Sequence, residues 1–344
     1  MKIAVLTGGG DCPGLNAAIR AVVRRGESYS YKIIGVREGW RGFVDQNFIP
    51  FDREKITGIL PLGGTILGTS RTNPYKDSKT MEKFKTGFTA SGCDVVIAIG
   101  GEDTLGVASK LSQDGYKVVG IPKTIDNDLE ETDFTIGFQT AVAIAAEAID
   151  RIHTTAESHN RVMVVEVMGR HVGWLATYAG LGAGADVILI PERPFHLDDV
   201  CGIIRKRTKN GRRFSIVVVA EGAKMVRKEG EETFLASSRK DEFGHVQLGG
   251  IGAVLAKEIE AKTGYESRVT VLGHVQRGGT PVVADRILAS RFGVFAVDCI
   301  QKKNFGVMTA LKGNQIVAVP LETIVGRLKT VDSELFSIAE VFFG

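Results

Sequence analysis

Short runs of almost wholly apolar residues recur along this chain, most of them ending in a glycine or proline break: "KIAVLT", "CDVVIAIG", "YKVVGIP", "RVMVVEVMG", "DVILIP", "FSIVVVAEG" and "SRVTVLGH". Apolar residues at consecutive rather than alternate positions mark strands buried on both faces, the condition of parallel sheets covered by helices. The covering helices are legible too. Leu15, Ile19 and Val22 recur at i, i+4 and i+7 behind the first run, a short helix is expected from Thr104 to Leu111, and "TAVAIAAEAIDRIHTTAES" forms a longer one. So many strand–helix units in 344 residues exceed one sheet. The expected fold class is α/β, with two doubly wound, Rossmann-like three-layer lobes and mostly parallel sheets. Glycine-rich breaks fall at the carboxyl ends of the strands, where such sheets bind ligands. The stretch 225–245 is polar and charged without a clear period, and reads as a surface excursion.

Charged residues make up 24% of the chain and its formal charge is +3, too little to argue for nucleic acid. Cys12, Cys93, Cys201 and Cys299 stand far apart, which points to reduced thiols rather than to zinc or disulfides. Met1 opens directly on a strand-like run, and no apolar stretch reaches the ~18 residues that a membrane helix needs. The expectation is a cytoplasmic protein with no membrane or nucleic-acid partner.

Several motifs carry chemistry. "TGGGDCPGLNAAIR" joins a strand to a helix through three glycines, so the backbone could approach an anion there and the helix N terminus could face it. Alone, it fits equally a turn that merely reverses the chain. It is neither GxGxxG nor GxxxxGK[ST], because Leu15 and Asn16 stand where the latter needs Lys and Ser or Thr. "GGTILGTSRTNP" adds a second glycine turn, with Arg71 behind it as either a ligand clamp or a surface arginine. "KTIDND" sets Asp126 and Asp128 two residues apart, so in an extended segment both carboxylates would project to one face. One could then accept a hydroxyl proton while the other helps hold Mg²⁺; an Asx-turn or solvated loop is the other reading. "VMGRHVGW" puts Met168, Gly169 and Arg170 at a strand's carboxyl end, where Arg170 could neutralise a transferring phosphoryl group. "SRVTVLGHVQRGG" gathers Arg268, His274 and Arg277.

Together these motifs resemble the phosphofructokinases of the ATP- and pyrophosphate-using superfamily. The likeness runs through "TGGGDCPG", "GGEDT", "TIDND", "SHNRVMVVEVMGR" and "AEG" to R-x4-G-H-x-Q-R-G-G-x5-D-R, met from Arg268 to Arg286, and covers essentially the whole chain. It implies fructose 6-phosphate as acceptor, phosphorylated at its 1-hydroxyl with Mg²⁺. It also implies that Asp126 is the general base, that Thr124 helps bind the substrate and the transferring group, and that Ile125 binds the substrate. Gly9, Arg71 and Thr104 would bind the donor. Glu102 and Asp128 would hold the metal, with Glu102 at a position where aspartate is common. Met168, Gly169, Arg170 and Glu221 would line the sugar, and His274, Val275, Gln276 and Arg277 would hold it within the subunit. Arg161 and Arg268 would reach it from a neighbour, which implies a homodimer or homotetramer. The lobes implied are 1–137 plus about 276–325 for the donor, and 138–275 plus about 326–344 for the sugar phosphate.

Two positions bear on the donor. ATP-using relatives usually carry glycine at both; Asp103 and Lys123 are the pair typical of pyrophosphate-dependent members, and Asp103 decides, since some ATP-using relatives share the lysine. A nucleotide would lay its α-phosphate near residue 103, whereas pyrophosphate ends before it. Like charges at ~4 Å and an effective dielectric near 20 repel by about 4 kcal/mol, roughly a thousandfold in binding before screening. Lys123 would offset Asp103 and stabilise the leaving phosphate; a plain salt bridge between the two is the other reading. The expected activity is reversible phosphoryl transfer from pyrophosphate. An ATP-dependent enzyme and a non-catalytic sugar-phosphate-binding subunit are the alternatives. Arg20, Arg24 and Arg53 match part of the effector site of bacterial relatives, while His153 and Asn210 replace two further basic positions.

Overall fold

Burial follows the apolar runs: every residue of "VVIAIG", "VMVVEV" and "SIVVVA" is buried within a strand. The computed structural model describes residues 1–228, 231–233, 236–240, 246–248 and 250–344. In chain order the strands are β1 (Lys2–Thr7), β2 (Lys32–Val36), β3 (Phe48–Phe51), β4 (Val95–Gly100), β5 (Val118–Thr124), β6 (Ile136–Gly137), β7 (Val162–Val167), β8 (Val187–Leu189), β9 (Phe195–His196), β10 (Ser215–Ala220), β11 (Met225–Lys228), β12 (Glu231–Thr233), β13 (Ala236–Lys240), β14 (Val246–Leu248), β15 (Ser267–Val271), β16 (Val307–Lys312) and β17 (Gln315–Pro320). The α-helices are α1 (Leu15–Ser28), α2 (Arg41–Val44), α3 (Ser78–Ser91), α4 (Glu102–Gln113), α5 (Phe138–His159), α6 (Trp174–Gly182), α7 (Leu197–Lys209), α8 (Ile251–Thr263), α9 (Val283–Gln301) and α10 (Ser333–Glu340). They form two units. The first comprises Met1–Ile125, Leu129–Thr140 and Arg277–Leu328; the second comprises Asp126–Asp128, Ala141–Gln276 and Lys329–Gly344.

In the first unit the sheet order is β17–β16–β5–β4–β1–β2–β3, with β6 beside β5. The inner strands β2, β1, β4, β5 and β16 are parallel, and β3 and β17 close the edges antiparallel. From β1 the chain winds first toward β2 and later returns on the other side at β4, so β1 and β4 flank the topological switch point where such sheets leave a crevice. Thr7 is registered with Ile99. The Gly8 N–H donates to the Ile99 carbonyl at 2.9 Å. "TGGGD" and "GGEDT" therefore leave the sheet side by side. Beneath them Leu6, Val36, Phe43, Phe84, Leu105, Leu111 and Met308 pack as one core, each worth about 1.5–3 kcal/mol of buried apolar surface. Helix α3 comes unusually close to α2 because Gly87 has no side chain; a Cβ there would sit 1.8 Å from the Phe43 carbonyl oxygen.

In the second unit β15–β7–β10–β8 form an all-parallel sheet with Val164, Val217, Val219, Leu255 and Ile259 in its core. Glu166 on β7 is buried, and its carboxylate accepts the N–H groups of Gly250 at 3.1 Å and Gly252 at 2.8 Å. It thus supplies the cap that Gly250, at the N terminus of α8, lacks.

The architecture is the α/β, mostly parallel one expected. Three local expectations change. Helix α4 starts at Glu102 rather than Thr104, because acidic residues suit the positive end of a helix dipole. Strand β15 lies at the edge of its sheet, so Val269 and Val271 stay 37% and 54% exposed despite the apolar run. The stretch 225–245, expected as an irregular excursion, lies partly outside the described residues. Those described within it belong to β11, β12 and β13, with β11 pairing in parallel with β9.

Candidate active site

Each glycine of "TGGGD" is required for a different reason. A Cβ on Gly8 would lie 2.5 Å from Oγ1 of Thr104, and one on Gly100 would lie 2.3 Å from the Thr104 Cβ. Thr104 is 4% exposed, so its buried side chain wedges between the ends of β1 and β4 and excludes a side chain from both. Gly9 has φ +76°, the left-handed region that glycine alone enters freely. Gly10 lies under the Arg277 guanidinium, whose Nη1 is 2.9 Å from where its Cβ would be.

Lys123, near the end of β5, is only 3% exposed and donates from Nζ to the Gly10 carbonyl at 2.5 Å. The same Nζ is 3.6 Å from the Cβ position of Gly9. Lys123 and Arg277 thus bring two cations to one glycine turn beside the switch point, an arrangement suited to phosphate. The first turn of α4 is itself occupied by carboxylates: Glu102 is exposed and Asp103 half-buried. Glu102 Oε1 accepts the Gly326 N–H at 3.2 Å. Thr124 is half-buried, its carbonyl accepting from Thr135 Oγ1 at 2.7 Å, while Ile125 is buried and Arg71 exposed.

Two unassigned residues support this turn. Asp285 is fully buried in the first turn of α9 and accepts from the N–H groups of Gly137 (2.9 Å) and Thr140 (2.7 Å) and from the Thr140 hydroxyl (2.5 Å). Burial pushes its carboxyl above the usual range against the pull of those bonds. It fastens the start of α5 to the helix that follows Arg277. Cys12 donates to the Ile136 carbonyl at 3.4 Å, and burial pushes its thiol up to about 12, so it stays protonated. Asp285 stands inside the long Arg268–Arg286 signature, yet only the tertiary contacts show what it holds.

In the second unit the extended arrangement expected for "KTIDND" does not occur. Strand β5 ends at Thr124, and Asn127, buried between the two aspartates, has φ +54°. The chain therefore turns between Asp126 and Asp128, and the one-face argument fails; asparagine is among the few side chains that tolerate this conformation. Both aspartates are half-buried. Asp128 gives its carbonyl to the Lys329 N–H at 3.0 Å.

The loop after β7 carries Met168 and Gly169, both buried, and half-buried Arg170. Gly169 has φ +137°, and a Cβ there would lie 2.7 Å from the Val172 carbonyl oxygen. Glu221, at the end of β10, donates its N–H to the Val167 carbonyl at 2.9 Å. Burial pushes its carboxyl up to about 7, the charge of Asp126 adds to that, and Arg170 pulls the other way. Asp126, Arg170 and Glu221 therefore share one electrostatic neighbourhood.

The turn Gly273–Arg277 separates residues that the sequence grouped. His274 and Val275 are exposed, Val275 at 63%. Gln276 is completely buried, its Oε1 accepting the Met168 N–H at 3.3 Å and its Nε2 donating to the Gly273 carbonyl at 2.9 Å. Its amide braces the loop from below. Arg277 belongs to the first unit.

Arg161 and Arg268 meet on a carboxylate that the sequence reading left out. Glu266 Oε1 receives Arg161 Nη2 at 2.8 Å and also Arg268 Nη2. The bond to Arg161 leads in holding its carboxyl below the ordinary range. The ladder explains the meeting: Val162 N–H donates to the Glu266 carbonyl, placing Arg161 next to Glu266, and Arg268 follows two residues later on the same face. That period-two spacing was the available signal.

Residues 2–300 match the family model described as Phosphofructokinase. The pyrophosphate–fructose 6-phosphate 1-phosphotransferase of Amycolatopsis methanolica is 57% identical over 345 residues, covering 100% of both chains. The ATP-dependent 6-phosphofructokinase 3 of Streptomyces coelicolor is 48% identical over 341 residues, covering 99% of each. Among solved structures, the pyrophosphate-dependent phosphofructokinase of Nitrosospira multiformis shares the fold, with a TM-score of 0.85 at 23% identity over 96% of this chain and 86% of that one. With glycine turns, buried lysine and arginine–carboxylate pairs all set on this fold, the chain belongs to the phosphofructokinase family.

Proposed function

We propose that this chain transfers a phosphoryl group reversibly from pyrophosphate to the 1-hydroxyl of fructose 6-phosphate, giving fructose 1,6-bisphosphate and phosphate. The observation that carries the donor is Asp103 in the first turn of α4, next to the glycine turn into which the buried ammonium of Lys123 is bonded beside Gly9. The lysine adds charge where a short, highly charged donor binds, and the aspartate opposes the α-phosphate of a nucleotide. The full-length relatives at 56–57% identity carry the pyrophosphate name, while those at 47–48% include one with that name and several named ATP-dependent.

In this reading Gly9, Arg71, Thr104 and Lys123 bind the donor, and Lys123 stays with the leaving phosphate. Asp126 accepts the proton of the 1-hydroxyl, assisted by Thr124, and Arg170 neutralises charge on the group in transit. Glu221, its carboxyl pushed up to about 7 by burial, bonds a sugar hydroxyl beside Met168 and Gly169 in this reading. His274 and Arg277 hold the sugar phosphate. Members of this family generally use a divalent metal, here proposed as Mg²⁺. That ion favours hard oxygen ligands, usually one or two carboxylates completed by phosphate oxygens. Glu102 and Asp128 fit that donor set, and no group of three or more ligating side chains occurs among the described residues. When bound, Mg²⁺ would supply charge neutralisation on the phosphates.

Arg161 and Arg268 are assigned to a neighbouring subunit's site in a homodimer or homotetramer. Support comes from their joint presentation by Glu266 beside the exposed Val269 and Val271 of an edge strand. A cytoplasmic location is assigned as well, supported by four free, buried cysteines. No helix among the described residues is long and apolar enough to cross a membrane.

The test is a steady-state assay of the purified chain with Mg²⁺ and either pyrophosphate or ATP, in both directions. Pyrophosphate should support turnover both ways, with kcat/KM for ATP lower by about a hundredfold or more. Turnover with ATP but not with pyrophosphate overturns the assignment.

A further inference from the structure

Within the second unit, a short piece near the carboxyl terminus is stitched to two segments of the proposed sugar site. Lys329 donates its N–H to the Asp128 carbonyl at 3.0 Å. Its own carbonyl accepts the indole N–H of Trp174 at 2.8 Å, and its ammonium lies 5.1 Å from the centroid of that ring. Two residues on, the Val331 N–H donates to Glu192 Oε1 at 3.0 Å. That same oxygen accepts the N–H of Gly173 at 3.0 Å. Gly173 and Trp174 end the loop that carries Met168, Gly169 and Arg170, whose other end Gln276 holds. Residues beyond the stitch secure it: Phe336 is 4% exposed under the Arg193 guanidinium, 4.5 Å from its ring centroid, and Arg193 pairs with Glu340 at 2.9 Å.

We propose that residues 329–331 are a strut that sets the Asp126–Asp128 turn against the Arg170 loop, with Glu192 as the positioning residue that locks the strut to the loop. The bond from Lys329 ties Asp128 to the second unit, to which residues 126–128 belong. The strut lies beyond residues 2–300, the span of the family match. Glu192 suits the role. One carboxylate oxygen accepts from loop and strut together, and a single acceptor shared by two backbone donors moves them as one body. The inference rests on the proposed function in one respect only, that the loop and the turn bind and activate fructose 6-phosphate.

The test combines kinetics with amide hydrogen exchange on the full chain. In Glu192→Ala, kcat/KM for fructose 6-phosphate should fall about 10- to 100-fold, as a displacement near 1 Å would cause, with KM for pyrophosphate changed by no more than about twofold. Exchange should speed up in both 168–173 and 329–331, by roughly tenfold or more. Glu192→Gln, whose amide oxygen can still accept both N–H groups, should recover most of the loss. Phe336→Ala frees the strut from its far end and should move the same readouts in the same direction; it also serves if Glu192→Ala fails to fold. The proposal is overturned if the strut loosens while the loop's exchange and kcat/KM for fructose 6-phosphate stay at wild-type values. A rise in KM shared equally by both substrates overturns it too. Should the wild type show no pyrophosphate-dependent activity, the proposed function fails, and exchange in 168–173 still decides the strut.

Discussion

At residues 102 and 103 two carboxylates fill the first turn of α4, a place where a helix N terminus would otherwise favour phosphate. The anion-attracting features lie next door, in the Gly8–Gly10 turn with Lys123 and Arg277. If Asp103 marks where the donor must stop, Asp103→Gly should lower KM for ATP by at least about tenfold, a conservative share of the ~4 kcal/mol like-charge cost. Unchanged ATP kinetics would remove exclusion as the mechanism while leaving the donor itself to the direct assay. Glu221 gives a second residue-scale prediction. Its carboxyl titrates near 7 in the fold against an ordinary value of 4.5, so the native state keeps a proton that the unfolded chain has already lost. The native state therefore gains stability from this group below pH 4.5 and loses that gain as pH rises through 7. Glu221→Gln should flatten this part of the stability profile, with a Tm difference from wild type that favours the variant more at pH 8 than at pH 5. Parallel urea or thermal profiles across that range would reject the burial account.

Among the elements, the junction of β1, β4 and α4 shows what the sequence could and could not disclose. The consecutive apolar residues of "KIAVLT" and "VVIAIG" announced buried parallel strands, and the glycines announced a crevice at their ends. That Thr104 fills the space a Cβ would need at both Gly8 and Gly100 depends on strand register and helix placement, which no local pattern encodes. Gly8→Ala should cost about 1–3 kcal/mol through overpacking. Thr104→Ala removes the two atoms nearest the new methyl group, so the double variant should recover part of that loss, a coupling visible in urea denaturation. Strict additivity of the two changes would show that the wedge does not set the turn. The same limit applies elsewhere. Arg161, Arg268, Asp126 and Lys123 stand out as candidates through the family resemblance. Glu266, Asp285 and Glu192 act on backbone or side-chain partners far away in the chain, and Asn127 reversed an inference that assumed an extended segment. Gln276 is a candidate through the same resemblance, and its burial and its bond to Met168 show that it braces the loop.

For the molecule as a whole, the edge strand β15 is the place where one chain falls short of a complete site in the proposed reading. It exposes Val269 and Val271 and carries Arg268, which pairs with Glu266 alongside Arg161 while its side chain stays exposed. An uncovered strand edge with apolar side chains invites pairing with another copy, and closed symmetry would give each copy the same contact in return. Subunit complementation tests this directly. Asp126→Asn removes the proposed base, and Arg268→Ala removes the proposed visiting arginine, so each variant alone should lose most activity. In a mixed oligomer, a subunit with intact Asp126 receives Arg268 from a neighbour that still has it, and one native site is rebuilt. A hybrid dimer has one good site of two, so the hybrids, once freed of the parent homodimers, should show about half of wild-type activity. The measurement is turnover after co-expression with two affinity tags and purification on both. If Arg268 serves its own subunit, every site in the hybrid keeps one defect and no activity returns.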